Sequence, residues 1–319
     1  MPKIVDVFIV TYNRANYLRE SINSVLKQTY KEFDLIILDN CSNDNTREVV
    51  EEFSDDRIKY IRHDTNLGGL GNICYAYANS TKKYFVIFHD DDVMKENYLE
   101  KQIDVMEKDS RISILSCETD IINEKSQYIH KKAIKESATI KLYEGKQLFY
   151  DYLYNRKYIN FPTIMYRTEH VRKMQVEILP EAGPSADILY CMDVERFGGT
   201  VGVQEVSLVN YRNHSAQDSQ QSRVKMVEML FNYMNNIDYY RHLLDNNIKG
   251  QTKYYKRILF NELCLFGADL IDVLELKNDM ERYKKVLKIT MAMKLFTSAG
   301  VWICKKMPKL VRWSYKKLK

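Results

Sequence analysis

Tyr84-Phe85-Val86-Ile87-Phe88-His89-Asp90-Asp91-Asp92 is the stretch on which the reading of the whole chain turns. Five apolar or aromatic side chains run through His89 into three consecutive carboxylates. The run is short and rich in β-branched and aromatic types, which predicts a buried strand rather than a helix. Adjacent carboxylates repel, and each is costly to take out of water. Three of them at the end of a buried strand need either solvent or a bound cation. Mg2+ and Mn2+ take oxygen ligands, commonly one or two carboxylates together with phosphate oxygens of a substrate. Two readings follow: a metal–diphosphate site at a strand's carboxyl end, or an acidic turn that only starts the next helix. An EF-hand loop is excluded, because Met94 and Lys95 stand where that loop requires a further ligand and a glycine.

On the N-terminal side the same grammar repeats. Residues 4–10 are mostly apolar and end in Thr11-Tyr12-Asn13-Arg14. Residues 17–26 place Leu18, Ile22, Val25 and Leu26 on one helical face. Residues 33–38 predict a second buried strand, closed by Asp39-Asn40. Residues 42–45 offer capping side chains to a helix carrying Val49, Val50 and Phe53. Residues 58–61 predict a third strand, followed by His63-Asp64-Thr65-Asn66-Leu67-Gly68-Gly69. Residues 72–78 and 98–106 have helical spacing. Strands alternating with helices predict an α/β fold with a parallel sheet and right-handed crossovers. In such sheets ligands gather beyond the carboxyl ends of the strands. Four polar clusters therefore converge on one edge, which strengthens the metal-site reading of the triplet. Gly68, Gly69 and Gly71 are not a dinucleotide fingerprint, since Cys74 stands where its last glycine would fall. There is no GKS or GKT phosphate loop either, so a nucleotide would be held mainly by side chains and a metal.

The first ~120 residues resemble a family-2 glycosyltransferase of the GT-A fold. The resemblance rests on Phe8-Ile9-Val10-Thr11-Tyr12-Asn13-Arg14, Leu38-Asp39-Asn40-Cys41-Ser42-Asn43-Asp44, Asn66-Leu67-Gly68, and Asp90-Asp91-Asp92 as the DXD motif. It implies a Rossmann-like, mostly parallel sheet flanked by helices. It also implies inverting, Mn2+- or Mg2+-dependent transfer of a sugar, hexosyl or N-acetylhexosaminyl, from a nucleotide donor, usually a UDP-sugar. By likeness, Thr11 and Tyr12 hold or stack on the base, beside Asn13 and Arg14. Asp39 accepts a hydrogen bond from the base, and Asp90 reaches the ribose. Asn66, Asn72 and Asp91 complete the donor side. Asp92 ligates the metal, with Asp90 and His214 as further ligands. One departure is that Gly69-Leu70-Gly71 stands where many relatives carry an arginine.

Beyond the triplet the pattern is less regular. Residues 112–117 predict another strand, 125–141 an acceptor-side loop or edge hairpin, and 161–167 a strand returning to the sheet. Residues 179–187 are turn-rich and lead into a helix over 188–197. Taken alone, Asp187 reads as a helix cap. In relatives an acidic residue at this point, before a helix and a glycine (here Gly198 or Gly199), is the general base, so the resemblance assigns that role to Asp187. Asp193 and Glu181 are the reserves. Residues 211–219 form a YRxHxxQxS pattern that resembles one recurring in the family, where the histidine lies near the metal and diphosphate. Arg212 would fork onto the diphosphate; its alternative is a surface ion pair.

From residue 224 the chain predicts helices, with Val227, Leu230, Phe231, Met234, Ile237, Tyr240 and Leu244 recurring every three or four residues. Residues 284–319 contain no Asp or Glu, and Trp302, Trp313 and Tyr315 stand among lysines. This predicts interfacial helices on an anionic inner leaflet, rather than a basic helix packed on its own protein. The division expected is 1–222 as the catalytic domain (1–120 for the nucleotide sugar, 121–222 for the acceptor), 223–283 as a helical appendage, and 284–319 as a membrane-surface segment.

The 319 residues carry a net charge of +5, with 45% hydrophobic and 29% charged residues, which suits a packed core and argues against disorder. Six scattered cysteines without a CxxC pair point to a reducing compartment. No signal peptide and no apolar run of the ~20 residues a spanning helix needs is expected. The expected place is the cytoplasmic face of the cell membrane, the expected partners a nucleotide sugar and a glycan or lipid-linked glycan acceptor, without nucleic acid. Two other readings compete. One is a non-catalytic glycan-assembly or binding protein. The other is a nucleotidyltransferase, for which the chain lacks a glycine-rich, lysine-bearing loop near its N-terminus.

Overall fold

The computed structural model describes residues 2–132, 139–155, 158–174, 186–214, 217, 223–247, 249–250 and 254. Glu181, most of the turn-rich stretch 179–187 and the basic segment 284–319 lie outside the described residues.

β1 (Val5–Thr11) and β2 (Phe33–Asp39) are buried on both faces, as their unbroken apolar runs demand. β3 (Ile58–Arg62) and β4 (Tyr84–His89) complete a parallel group in the order β3-β2-β1-β4. Register sets Thr11 opposite Asp39, and Val10 opposite His89. The polar ends of three strands therefore stop within one residue of each other, about 3.3 Å along the sheet.

After β4 the sheet becomes mixed. A short β5 (Val93–Met94) follows the triplet, then β6 (Ile112–Ile122), β7 (Tyr128–His130), β8 (Ile140–Tyr143), β9 (Met165–Arg167) and β10 (Thr200–Arg212). β9 runs antiparallel between β4 and β6, and β10 pairs parallel to β6. β5 returns antiparallel onto β10, with Asn210 opposite Val93. That pairing brings the end of β10 beside the acidic triplet.

α1 (Ala15–Leu26) buries Leu18, Ile22 and Val25 against Val5, Val7 and Ile9 of β1. Each such side chain contributes about 1.5–3 kcal/mol by leaving water. The other helices of this unit are α2 (Thr46–Glu51), α3 (Gly68–Asn79), α4 (Tyr98–Lys108), α6 (Thr168–Met174) and α7 (Ala186–Arg196). α3 starts four residues before the predicted helix, because Asn66 Oδ1 accepts the Gly68 N–H at 2.7 Å and Gly68 takes φ +74°. Residues 161–167 are not one strand. Phe161–Thr163 wind into a 3-10 turn whose Pro162 has no N–H for a sheet ladder, and the strand begins at Met165.

Contacts divide the chain into two compact units, of which the first comprises residues 1–148, 158–180 and 186–217. The second comprises 149–157, 181–185 and 218–319. α5 (Gln147–Asn155) begins in the first and supplies Phe149 onward to the second. In the second, α8 (Arg223–Asn236) and α9 (Asp238–Asp245) bury Leu230, Phe231, Met234, Tyr240 and Leu244. The predicted periodicity is real, but it breaks at Ile237, whose extended backbone separates two helices. Phe149 stacks on Tyr240, and the Tyr254 hydroxyl donates to Tyr152 at 2.5 Å. Among the described residues no helix is long and apolar enough to cross a membrane.

Candidate functional site

Two loops close the edge above β1 and β2. The Asn13 N–H donates to Ser42 Oγ at 2.9 Å, and the Asn43 N–H donates back to Asn13 Oδ1 at 2.8 Å. Ala15 N–H meets Asp44 Oδ2 at 3.1 Å, so the acidic side chain also serves the start of α1. Asp39 is buried, accepting the Ser42 N–H at 2.8 Å and the Tyr60 hydroxyl at 2.6 Å. Asn40 donates to Asn66 Oδ1 and accepts from the Leu67 N–H, both at 2.8 Å. Asn72 donates to the Leu38 carbonyl at 3.0 Å and meets His63 Nε2 at 2.9 Å. Asn66 and Asn72 thus tie the loop before α3 to the end of β2. Tyr12 is exposed at the rim.

The triplet lies beside this floor. Asp90, Asp91 and Asp92 are 2%, 3% and 0% exposed, which answers the choice between solvent and compensation in favour of compensation. Arg14 bridges the first two, donating to Asp90 Oδ1 at 3.2 Å and Asp91 Oδ2 at 3.0 Å. His214 Nε2 meets the same Asp91 oxygen at 2.9 Å. Asp92 Oδ1 accepts the backbone N–H of Arg212 at 2.8 Å. Burial pushes Asp90 up to about 7, with the charge of Asp91 adding to the effect and Arg14 opposing it. Burial, then the charge of Asp91, pushes Asp92 well above the usual carboxylate range.

Two oxygens, Asp91 Oδ1 and Asp92 Oδ2, are buried with no hydrogen-bond partner. Orphaned buried acceptors are costly and call for a positive group. One potential ligand atom from each of His89, Asp91 and Asp92 lies within 4.8 Å of the others. This donor set, two carboxylates and an imidazole, fits a divalent ion. The grouping differs from the expected Asp92, Asp90 and His214. Asp90 turns to Arg14 and His214 to Asp91, while His89 and Asp91 stand with Asp92.

Arg212 also differs from expectation. Its side chain is 1% exposed and every guanidinium nitrogen has a protein acceptor. Nε donates to the Asp91 carbonyl at 2.6 Å, Nη2 to Glu20 at 2.6 Å, and Nη1 to Ser126 Oγ at 2.9 Å and the Asn123 carbonyl at 3.1 Å. A fork so occupied is a brace for the triplet rather than an open diphosphate clamp. Gln217 holds the same strap, accepting the His214 N–H and donating to the Arg212 carbonyl.

Asp187 stands in the first turn of α7, its Oδ1 accepting the Ile188 N–H at 2.7 Å. Burial pushes its carboxyl up to about 6, its own and the Ile188 backbone N–H opposing. Its charge helps to raise the Tyr166 hydroxyl and the Cys191 thiol, which lie near it. Of the reserves, Asp193 is buried and pairs with Arg196 at 3.3 Å, and Glu181 is outside the described residues. Sequence reasoning missed His89, Glu20 and Ser126.

A family model for glycosyl transferase family 2 matches residues 6–176. An uncharacterized glycosyltransferase of Haemophilus influenzae is 29% identical over 224 residues, 68% of this chain and 67% of its own length. The Escherichia coli enzyme WfgD, a UDP-Glc:alpha-D-GlcNAc-diphosphoundecaprenol beta-1,3-glucosyltransferase, is 37% identical over 123 residues. That match spans 39% of this chain and less than half, 48%, of the enzyme. Among solved structures, S. aureus TarS 1–349 with UDP-GlcNAc superposes with a TM-score of 0.65 at 15% identity, covering 100% of this chain and 93% of that one. The mannosyltransferase PcManGT of Pyrobaculum calidifontis, with GDP-Man and Mn2+, gives 0.57 at 13% identity, covering 97% and 88%. These likenesses carry the fold, which is GT-A.

Proposed function

The chain belongs to glycosyl transferase family 2, and from that premise we propose that it is a metal-dependent, inverting enzyme moving a sugar from a UDP-sugar to an acceptor hydroxyl. The observation that carries this reading is the pair of orphaned oxygens, Asp91 Oδ1 and Asp92 Oδ2, buried at the sheet edge beside the loops closed by Asp39. In this reading Tyr12 stacks on the base, Asp39 accepts its N–H, Thr11 and Asn13 shape the loop beneath, and Asp90 meets the ribose. Asp91 and Asp92 would hold the ion, which when bound supplies positive charge against that growing on the departing diphosphate.

Asp187 takes the proton from the acceptor hydroxyl. The acceptor oxygen forms its bond to the anomeric carbon as the bond to the diphosphate oxygen breaks on the opposite face. One displacement inverts the centre, so no protein nucleophile is required. A carboxyl held near 6 is ionised at neutral pH, yet basic enough to accept a proton as the hydroxyl reacts.

WfgD and TarS support a UDP-linked donor by their printed names, and PcManGT supports Mn2+. The name of WfgD also supports a sugar on a lipid diphosphate as the acceptor. That acceptor agrees with a basic 284–319 segment lying on the inner membrane face, and with 1–222 as the catalytic part. The test is incubation with Mn2+, a panel of UDP-sugars and GDP-mannose, and lipid-diphosphate monosaccharide acceptors. One UDP-sugar is expected to release UDP and yield a product inverted at the anomeric carbon. A retained configuration, or pyrophosphate release from a nucleoside triphosphate instead, contradicts the reading.

A further inference from the structure

Tyr166 lies in the middle of β9 and is fully buried, yet its hydroxyl has no hydrogen-bond partner. A buried donor left unmade is costly and needs a physical reason. The ring is firmly held. It stacks on Phe85 of β4, with centroids 4.6 Å apart and 7° between planes. It meets Tyr77 of α3 and Tyr190 of α7 edge-on, at 6.3 and 5.9 Å. The hydroxyls of Tyr77 and Tyr190 satisfy each other at 2.5 Å. Of these tyrosines, Tyr166 alone has its hydroxyl bond unmade.

Tyr190 stands one turn after Asp187, on the same face of α7. Helical side chains lean toward the N-terminus, so the Tyr190 ring leans over the turn that carries Asp187. Its contact with Tyr166 then sets the unmade hydroxyl beside that turn. The influence of the Asp187 charge on Tyr166 agrees with this placement. Asp187 is half-buried, and its Oδ1 accepts the Ile188 N–H. A carboxylate has about four acceptor positions, so capacity for a further donor remains.

We infer that Tyr166 is a positioning residue for the base: its hydroxyl is the donor kept for the ionised Asp187 carboxylate, which it holds in place for the acceptor hydroxyl. The inference rests on the base assignment above and adds the residue that tunes it. A hydrogen bond donated to the charged form favours that form, so the hydroxyl keeps Asp187 ionised at a lower pH than burial alone would allow. The other groups around the pair hold one charge state between pH 5 and pH 8. Burial raises Tyr77, Tyr98 of α4, Tyr166, Tyr190 and the Cys191 thiol, so all stay neutral. Arg172 of α6, whose charge reaches Tyr77, stays protonated. His170 of α6 turns to Ser113 Oγ of β6 at 3.1 Å instead.

The test is urea unfolding of the full chain at pH 5 and pH 8, with kcat and KM followed over the same range using the UDP-sugar and acceptor that the panel above selects. Tyr166→Phe keeps the ring against Phe85 and removes only the hydroxyl. Its urea midpoint, taken relative to wild type, is expected to be lower at pH 8 than at pH 5. In an Asp187→Asn background the same exchange is expected to show no such difference. The acid limb of kcat for Tyr166→Phe is expected about one pH unit above that of wild type, with KM unchanged. Tyr77→Phe removes a hydroxyl already bonded to Tyr190, and is expected to leave the limb in place. A relative midpoint equal at the two pH values, an unmoved limb in Tyr166→Phe, or an equal movement in Tyr77→Phe overturns the inference while Asp187 remains the base. Turnover of Asp187→Asn at the wild-type rate overturns the base assignment itself, and this inference with it.

Discussion

The backbone N–H of Arg212 donates to Asp92 Oδ1 at 2.8 Å, joining groups 120 residues apart. The link fixes one oxygen of Asp92 and leaves the other, Oδ2, turned toward His89. The Arg212 side chain secures the same join through Asp91, Glu20 and Ser126. It also lies over the Tyr17 ring, which packs against His214 at 5.0 Å. β10, α1 and the acidic turn therefore form one assembly.

Removing that brace is expected to act on stability first. Arg212→Ala takes one donor each from the Asp91 carbonyl, the Asn123 carbonyl and Glu20, the last two keeping bonds from Ser126, and a broken ion pair of this kind costs about 3–5 kcal/mol when fully buried. Glu20 is 42% exposed, so less, about 2–3 kcal/mol, is expected. Urea unfolding checks this. Arg212→Lys should recover only part, because an ammonium cannot reach all four acceptors in the planar fork. An unchanged midpoint with weakened donor binding would restore the diphosphate role.

Asn40 offers a separate handle on the proposed donor floor. Asn40→Ala removes both bonds that hold Asn66 and Leu67 to the end of β2. A loss of about 1–2 kcal/mol in stability is expected, together with weaker UDP binding as the loop before α3 loosens. Calorimetry with UDP, read beside urea unfolding, checks both. UDP affinity equal to wild type would remove that loop from the donor site.

Asp187 carries a pH signature with a definite sign. Its carboxyl is held at about 6 in the folded chain against 3.8 ordinarily. Below about pH 3 the group is protonated in both the folded and the unfolded chain and contributes nothing. Between pH 3.8 and 6 the unfolded chain ionises first, so the residue progressively destabilises the fold, by roughly 2–3 kcal/mol at most above pH 6. Asp187→Asn should therefore be more stable than wild type at pH 8 and equal to it near pH 3. The same substitution should lower kcat by about 10²–10⁴, and wild-type kcat should fall about tenfold per pH unit below 6. Turnover of Asp187→Asn at the wild-type rate would dismiss it as the base.

The strand ends were legible because parallel strands buried on both faces read as unbroken apolar runs, as residues 33–38 and 84–88 do. Once Thr11, Asp39 and the triplet are placed at such ends, parallel register brings them together. β10 was not legible. Gly202, Gln204, Glu205 and Ser207 interrupt its apolar positions, and register shifts around Ser207 erase the period of two. The residue type of Arg212 pointed to an anion, and the chain could not reveal that the anion is Glu20, 192 residues away. His89 was hidden by its own strand, where it looked like one more member of the run.

Calorimetric titration of UDP into wild type and Asp92→Asn, with and without Mn2+, tests the central claim most directly. Mn2+ is expected to tighten UDP binding by about tenfold or more in wild type, since Asp92 would hold an ion whose charge favours the diphosphate, and to have no effect in Asp92→Asn. Equal UDP affinity with and without the ion in the wild-type protein would contradict the account.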